Sequence, residues 1–200
     1  MRLAFVGGAI LGMASILAPP VLADDVSDKL DVARAAYAKS DPLRALETLQ
    51  AVEGTLTAKL VEQFAKTLPQ PLAGWEATSP ESQPLDAVGG GITVTRGYQK
   101  GDAALNASLI VDNPSVANTV ALFQSTGGPP AGEVGWKAIK VGSEDAMVRF
   151  DPANREGEIV LAIQNRAALQ IEGSEIGAEQ VLIDAAQGWN FVLLKKLLGP

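Results

Sequence analysis

Between Asp24 and Leu68, apolar residues recur every three or four positions. Leu30, Val32, Ala33, Ala36 and Tyr37 form one set, and Leu43, Ala45, Leu46, Leu49, Val52, Leu56, Leu60, Val61 and Phe64 form a second. That is the period of an amphipathic helix, whose side chains return to one face every three to four residues. Asp24, Asp25 and Ser27 place acidic and capping groups at the start, where they satisfy free backbone N–H groups. Ser40-Asp41-Pro42 closes the first helix and opens the next, with Ser40 or Asp41 as cap and Pro42 at the first helical position. The pattern predicts an antiparallel helical hairpin over residues 24–68. Its second arm is either one long helix or two separated near Gly54.

The period then changes. Pro69, Pro71, Pro80 and Pro84, with Ser79, Ser82 and Gln83, predict an extended connection over residues 69–88. Within it, Leu72 to Ala77 reads as a short strand, and Trp75 is expected to plug the seam between helices and sheet or, alternatively, to stack on a ligand. From Ile92 the pattern alternates with period two. Ile92, Val94, Arg96 and Tyr98 share one strand face; after a Gln99-Lys100-Gly101-Asp102 turn, Leu105, Ala107, Leu109 and Val111 share one face of the next. This predicts a β-hairpin. Asn113-Pro114 starts a helix containing Val116, Val120, Leu122 and Phe123, stopped by residues 125–130. Strands are expected at Trp136–Val141, Ala146–Phe150, Glu158–Gln164 and Leu169–Glu172, joined by turns as an antiparallel meander. Helices at Glu179–Ala186 and Asn190–Leu198, broken at Gly188, carry Val181, Leu182, Phe191, Val192, Leu194, Leu197 and Leu198 to cover one sheet face. The expected fold is α+β: an N-terminal helical hairpin, then an antiparallel sheet of six or seven strands over residues 89–200, packed on one face by two or three helices, with mostly local pairings.

The first residues alter the expected location. MRLAFVGGAILGMASILAPPVLA has one cation, an apolar run from Leu3 to Ala18, a proline break and small residues ahead of Asp24. This is the layout of a signal peptide cleaved near Ala23, and the apolar run is marginal for a span, which needs about 17 residues. The expectation is export to a periplasm, with no membrane span after cleavage. No cysteine follows the apolar run, so lipidation at a mature N-terminal cysteine is excluded.

Composition narrows the chemistry. Cleavage leaves 177 of the 200 residues, with 15 cations against 23 anions. Nucleic acid is a poor partner for so acidic a chain with scattered lysines. Cysteine and histidine are both absent. Their absence excludes disulfides, thiol catalysis, Ser-His and Cys-His dyads and the commonest metal ligands, and an exported chain without disulfides suits a bacterial periplasm. A non-catalytic protein without a cofactor is expected.

Candidate sites remain few. Gly89-Gly90-Gly91 precedes a strand rather than opening a helix, and no Lys-Ser/Thr follows, so a bend entering the sheet is expected in place of a phosphate loop. Arg96 and Tyr98 share a face with Ile92 and Val94. If that face is the core, Arg96 needs a carboxylate; if it is solvated, the four residues form a mixed surface for an acidic or peptide partner. Arg96, Tyr98, Trp75 and Trp136 are therefore the candidate interaction residues. Asp151 to Glu158 has oxygen ligands, but Gly157 falls one place late for a calcium loop and Ala162 stands at the closing acid. Glu144, Asp145, Glu172 and Glu175 sit in or beside expected turns, and no feature brings them across a cleft.

The runs LPQPLAGW, GGGITVTRGYQKGD and VDNPSV, in this order and spacing, resemble a family of uncharacterised proteobacterial exported proteins. The resemblance spans the mature chain and implies the same helical hairpin, glycine-rich β-hairpin, late sheet and closing helix. More distantly, the sheet with flanking helices is similar to the PsbP-like fold. DVARAAYAKSDPLRALETLQ resembles half of a tetratricopeptide repeat, but one unit is too few for a solenoid, which needs about three. The expected role is binding or scaffolding of another envelope protein. The alternative is carriage of a small apolar ligand in a cavity lined by Trp136, Trp189 or Phe191, whereas a scaffold is expected to have a filled core and an exposed apolar patch.

Overall fold

The computed structural model describes residues 25–124 and 135–199, apart from the side chains of Pro84, Asp86, Leu122, Phe123 and Gln124. The leader expected over residues 1–23 and the helix stop at 125–130 lie outside the described residues. The fold is α+β, with an N-terminal helical pair followed by an antiparallel sheet and C-terminal helices. The chain divides into two compact units, with the boundary between Val52 and Glu53.

In the first unit, α1 (Asp25–Ala38) is followed by the start of α2 (Pro42–Ala65). Ser40 takes the left-handed conformation (φ 60°) that ends α1. Asp41 is the cap of α2, its Oδ1 accepting from the Arg44 N–H at 3.1 Å, so that one free donor of the first turn is satisfied. The buried positions here are Val26, Ala33, Ala36, Ala45 and Val52. α2 is one unbroken helix of 24 residues; Gly54 does not divide it, because a single glycine costs an exposed helix only about 1 kcal/mol.

The second unit is built on an eight-stranded antiparallel sheet. Its strands are β1 (Glu76–Ala77), β2 (Glu81–Pro84), β3 (Ile92–Lys100), β4 (Ala103–Val111), β5 (Lys137–Val141), β6 (Glu144–Asp151), β7 (Glu156–Ile163) and β8 (Ala167–Ser174). The order is β1-β3-β4-β8-β7-β6-β5, with β2 also on β3. β5 to β8 form the expected meander. The fourth strand of that meander returns beside β4, along a ladder from Ala104↔Ser174 to Val111↔Ala167, so the two hairpin systems join into one sheet. The β3–β4 loop is two residues, Gly101-Asp102, rather than four, since Gln99 and Lys100 stay in the ladder with Ala104 and Ala103. Gly101 takes the positive φ that this tight reversal demands. The proline-rich connection also holds more structure than expected: Glu81 to Pro84 pairs along β3 as an outer strand, a position where a proline costs no ladder bond.

One sheet face carries the core. Val94, Leu105, Leu109, Val148, Ile159, Leu161, Ile163, Leu169 and Ile171 are buried there with Leu182 and Ala186 of α4 (Gln180–Gln187), Leu194 and Leu198 of α5 (Phe191–Leu198), and Phe64 and Leu68. Val192, expected among these, is exposed, because the eight-residue α5 turns it away from Leu194 and Leu198. Gly157 and Gly173 stand opposite each other in the β7–β8 ladder. A Cβ on either would crowd Leu182, at 2.8 and 3.1 Å respectively, so the paired glycines make the seat for α4. α3 (Ser115–Gln124) packs against β6, β7 and β8, and none of its described side chains belongs to the core cluster, which puts it on the opposite face.

Asn113 ties the hairpin entry to α3. Its Oδ1 accepts from the Ser115 N–H at 2.9 Å, and its Nδ2 donates to the carbonyls of Val88 and Gly90. Gly91, at φ 96°, lies so close to β4 that a Cβ would sit 2.4 Å from the Val111 carbonyl oxygen. The glycine run is thus a close-packed bend.

Candidate functional site

Alternation along the strands sends every second residue to the face opposite the core. On that far face, the ladder aligns Asn106 with Glu172, Glu172 with Glu158, and Glu158 with Arg149. A single row of four polar side chains thus crosses β4, β8, β7 and β6. Above it lies a groove of about 690 Å³, lined among others by Asn106, Arg149, Asp151, Glu156, Glu158, Glu172 and Ser174. That volume is within the roughly 300–1,000 Å³ of small-ligand clefts.

Hydrogen bonds fix the row. Gln170 lies one register step inward and donates through Nε2 to Glu158 Oε1 at 2.6 Å and to Glu172 Oε1 at 3.2 Å. Both carboxylates are therefore within reach of one amide, and strand register brings together residues 14 positions apart in the chain. Arg149 Nη2 donates to Glu158 Oε2 at 2.6 Å, while its guanidinium lies 4.8 Å from the ring centroid of Trp136. Trp136 is buried against Met147 and Val160 in a small apolar cluster. The ring thus holds the Arg149 plane in a cation–π contact at the groove's rim. Asp151 closes the β6–β7 loop by accepting from the Ala153 and Asn154 N–H groups and from Asn154 Nδ2. These bonds, the one from Ala153 foremost, hold its carboxyl below the usual carboxylate range. Among the described residues the lining bears four carboxylates against one guanidinium, and this excess of negative potential in a concavity favours a cationic partner.

The residues singled out from the sequence are not brought together. Tyr98 is buried and Arg96 half-buried on the core face, because Val94 and Tyr98 point inward with Leu105 and Leu109. The expected carboxylate for Arg96 does not occur among the described side chains. Arg96 instead lies beside the Tyr98 hydroxyl, which donates to the Pro69 carbonyl at 2.7 Å; Arg96 Nε is buried without a partner among the described residues. Burial pushes the Tyr98 phenol up to about 12, with Arg96 pulling weakly the other way. Trp75 packs against the core on the same side. It lines, with Pro69, Leu72, Tyr98 and Leu105, a space of only about 10 Å³, room for one water at most. Trp136 alone of the four belongs to the groove side. Trp189 belongs to the core of the opposite face, and Phe191 packs against it.

The other paired carboxylates serve the frame. Burial raises the Glu144 carboxyl, but hydrogen bonds from Lys195 and Ser143 outweigh it and leave the group below its usual range. Arg166 grips both oxygens of Asp112 and also donates to the Leu198 carbonyl, tying the β7–β8 turn to the end of β4 and to α5. Among the described residues, no three acidic groups gather closely enough to hold a metal ion, and the loop from Asp151 connects β6 to β7.

Arg149 and Gln170 were not singled out by sequence reasoning, and Glu158 entered only as the end of the oxygen-rich segment from Asp151. Their one signal is placement at alternate strand positions, Glu158 and Val160 in β7 and Gln170 and Glu172 in β8, a pattern shared by any solvated strand face. No family model, curated protein or solved structure matches the chain.

Proposed function

We propose that this chain is a non-catalytic protein of the bacterial cell envelope, exported to the periplasm, that binds another envelope component through the acidic groove on the far face of its sheet. The observation that carries the reading is the groove itself, four carboxylates about one guanidinium, set on a sheet whose other face is a closed apolar core. The partner is an extended cationic segment, with lysine or arginine side chains over Glu158 and Glu172 and polar contacts to Asn106 and Ser174. Export rests on the apolar leader ahead of Asp24, and a non-catalytic role on the absence of histidine and cysteine. Membership of the exported proteobacterial family is part of the same proposal.

The test is a titration of the isotope-labelled protein with tetralysine, followed by NMR. The expected result is a set of shifts centred on Asn106, Arg149, Glu158 and Glu172, weakened by salt and lost in the double variant Glu158→Gln/Glu172→Gln. Shifts scattered over the whole surface, or unchanged in that variant, overturn the reading. N-terminal sequencing of the protein from a periplasmic fraction tests export, with Asp24 expected as the first residue.

A further inference from the structure

The polar row on the far face already holds a cation of its own. Arg149 Nη2 lies 2.6 Å from Glu158 Oε2, and the same guanidinium stands 4.8 Å from the Trp136 ring centroid. The other oxygen of Glu158 accepts from Gln170 Nε2 at 2.6 Å. Both oxygens of Glu158 are therefore engaged from within the chain. Glu172 differs. It is exposed, and among the described residues its side chain accepts only the longer bond, 3.2 Å, from the same amide. An incoming cation thus meets Glu172 open and Glu158 filled.

What fills Glu158 can leave. The Arg149 side chain is 50 % exposed and that of Glu158 only 14 %. A largely covered carboxylate is costly to leave unpaired, so Arg149 gives way only to another cation. The place it vacates has a flat aromatic wall with a carboxylate beside it. A planar guanidinium satisfies both at once, stacking on the ring and donating in its own plane. An ammonium is a compact, strongly hydrated point charge and matches only the carboxylate. On the reading that the groove is the binding surface, we infer that Trp136 and Glu158 form an arginine subsite within it. Arg149 is the tethered occupant of that subsite and holds it shut until an arginine of the partner takes its place.

Calorimetric titration of the full chain with tetralysine and with tetra-arginine tests this. Wild type is expected to bind the two peptides within about threefold of each other, since an arginine that enters must displace one. Arg149→Ala is expected to tighten both, because a cation has left the groove, but tetra-arginine by at least about tenfold more than tetralysine. Arg149→Lys keeps the charge and loses the plane. There, tetralysine affinity is expected to stay as it was and tetra-arginine affinity to rise by about threefold or more. In Arg149→Ala, tetra-arginine is also expected to move the Trp136 indole signal in NMR spectra, and tetralysine to leave it in place. No preferential gain for tetra-arginine in either variant, or an indole signal that responds to both peptides alike, overturns the inference. If wild-type tetralysine shifts are then still centred on Glu158 and Glu172, the groove itself stands. Binding by neither wild type nor variant overturns both.

Discussion

The two faces of the sheet share the same strands and differ in every other respect. On the core face, Leu109, Ile159, Leu161 and Leu169 are fully buried, and even the paired glycines are used, as the seat for Leu182. On the far face, the same strands present Asn106, Glu172, Glu158 and Arg149, joined by an amide bridge and an ion pair. Because neighbouring residues of a strand point to opposite sides, each face has been free to carry its own chemistry. Stability resides on one side and an unfilled, charged groove on the other. Mutations should therefore separate the two properties cleanly.

The largest effect is expected in the core. Leu161→Ala removes a fully buried side chain from the middle of β7 and is expected to cost about 2–5 kcal/mol in urea denaturation, with no change in the tetralysine affinity of the fraction that stays folded. A smaller loss, below about 1 kcal/mol, would mean that the core face is more plastic than its packing implies. Gly91→Ala comes next. It combines a positive φ with a contact 2.4 Å from the Val111 carbonyl and is expected to cost about 1–3 kcal/mol, again read by denaturant.

Tyr98→Phe leaves the Pro69 carbonyl without its donor and is expected to destabilise by about 1–3 kcal/mol. It also has a pH signature. The folded phenol is pushed up to about 12 from an ordinary value of 10, so the folded state holds its proton more tightly than the unfolded state does. The stabilising contribution is complete below pH 10 and is lost as pH rises toward 12. Wild-type stability should fall across that window and Tyr98→Phe should fall less. Parallel curves would show that Tyr98 is not the titrating group.

The smallest stability effect belongs to the groove. Glu158→Gln/Glu172→Gln removes the ion pair between a half-exposed Arg149 and a largely covered Glu158 and is expected to change stability by no more than about 1 kcal/mol while abolishing tetralysine binding. A large loss of stability in that variant would erase the contrast between the faces and recast the polar row as structural.

Local features were legible in the sequence because local physics produces them. The Asp41-Pro42 start of α2, the alternation of β3 and β4, Asn113 ahead of α3 and the break at Gly188 each rest on neighbours within a few residues. What escaped rests on distance along the chain. β8 lies beside β4 across more than 50 residues, and the pairing β4–β8 is what carries Asn106 up to Glu172 and completes the groove. The edge strand Glu81–Pro84 was hidden by its proline, which reads as a connection until a partner strand is in place. Arg96 offered the plainest ambiguity: alternation put it on the face of Val94 and Tyr98 but did not say which face closes.

The amino-acid sequence by itself determined the elements, their class and most of their ends, since hydrophobic period, caps and turn residues act over one or two turns of backbone. It also determined which chemistry is excluded, since a chain without histidine or cysteine cannot supply their groups. Only the tertiary structure decided which strand pairs with which, which face is filled, and that Glu158 and Glu172 meet under one amide. Those outcomes depend on burying the largest apolar area at once, a property of the whole sheet that no short stretch of residues contains.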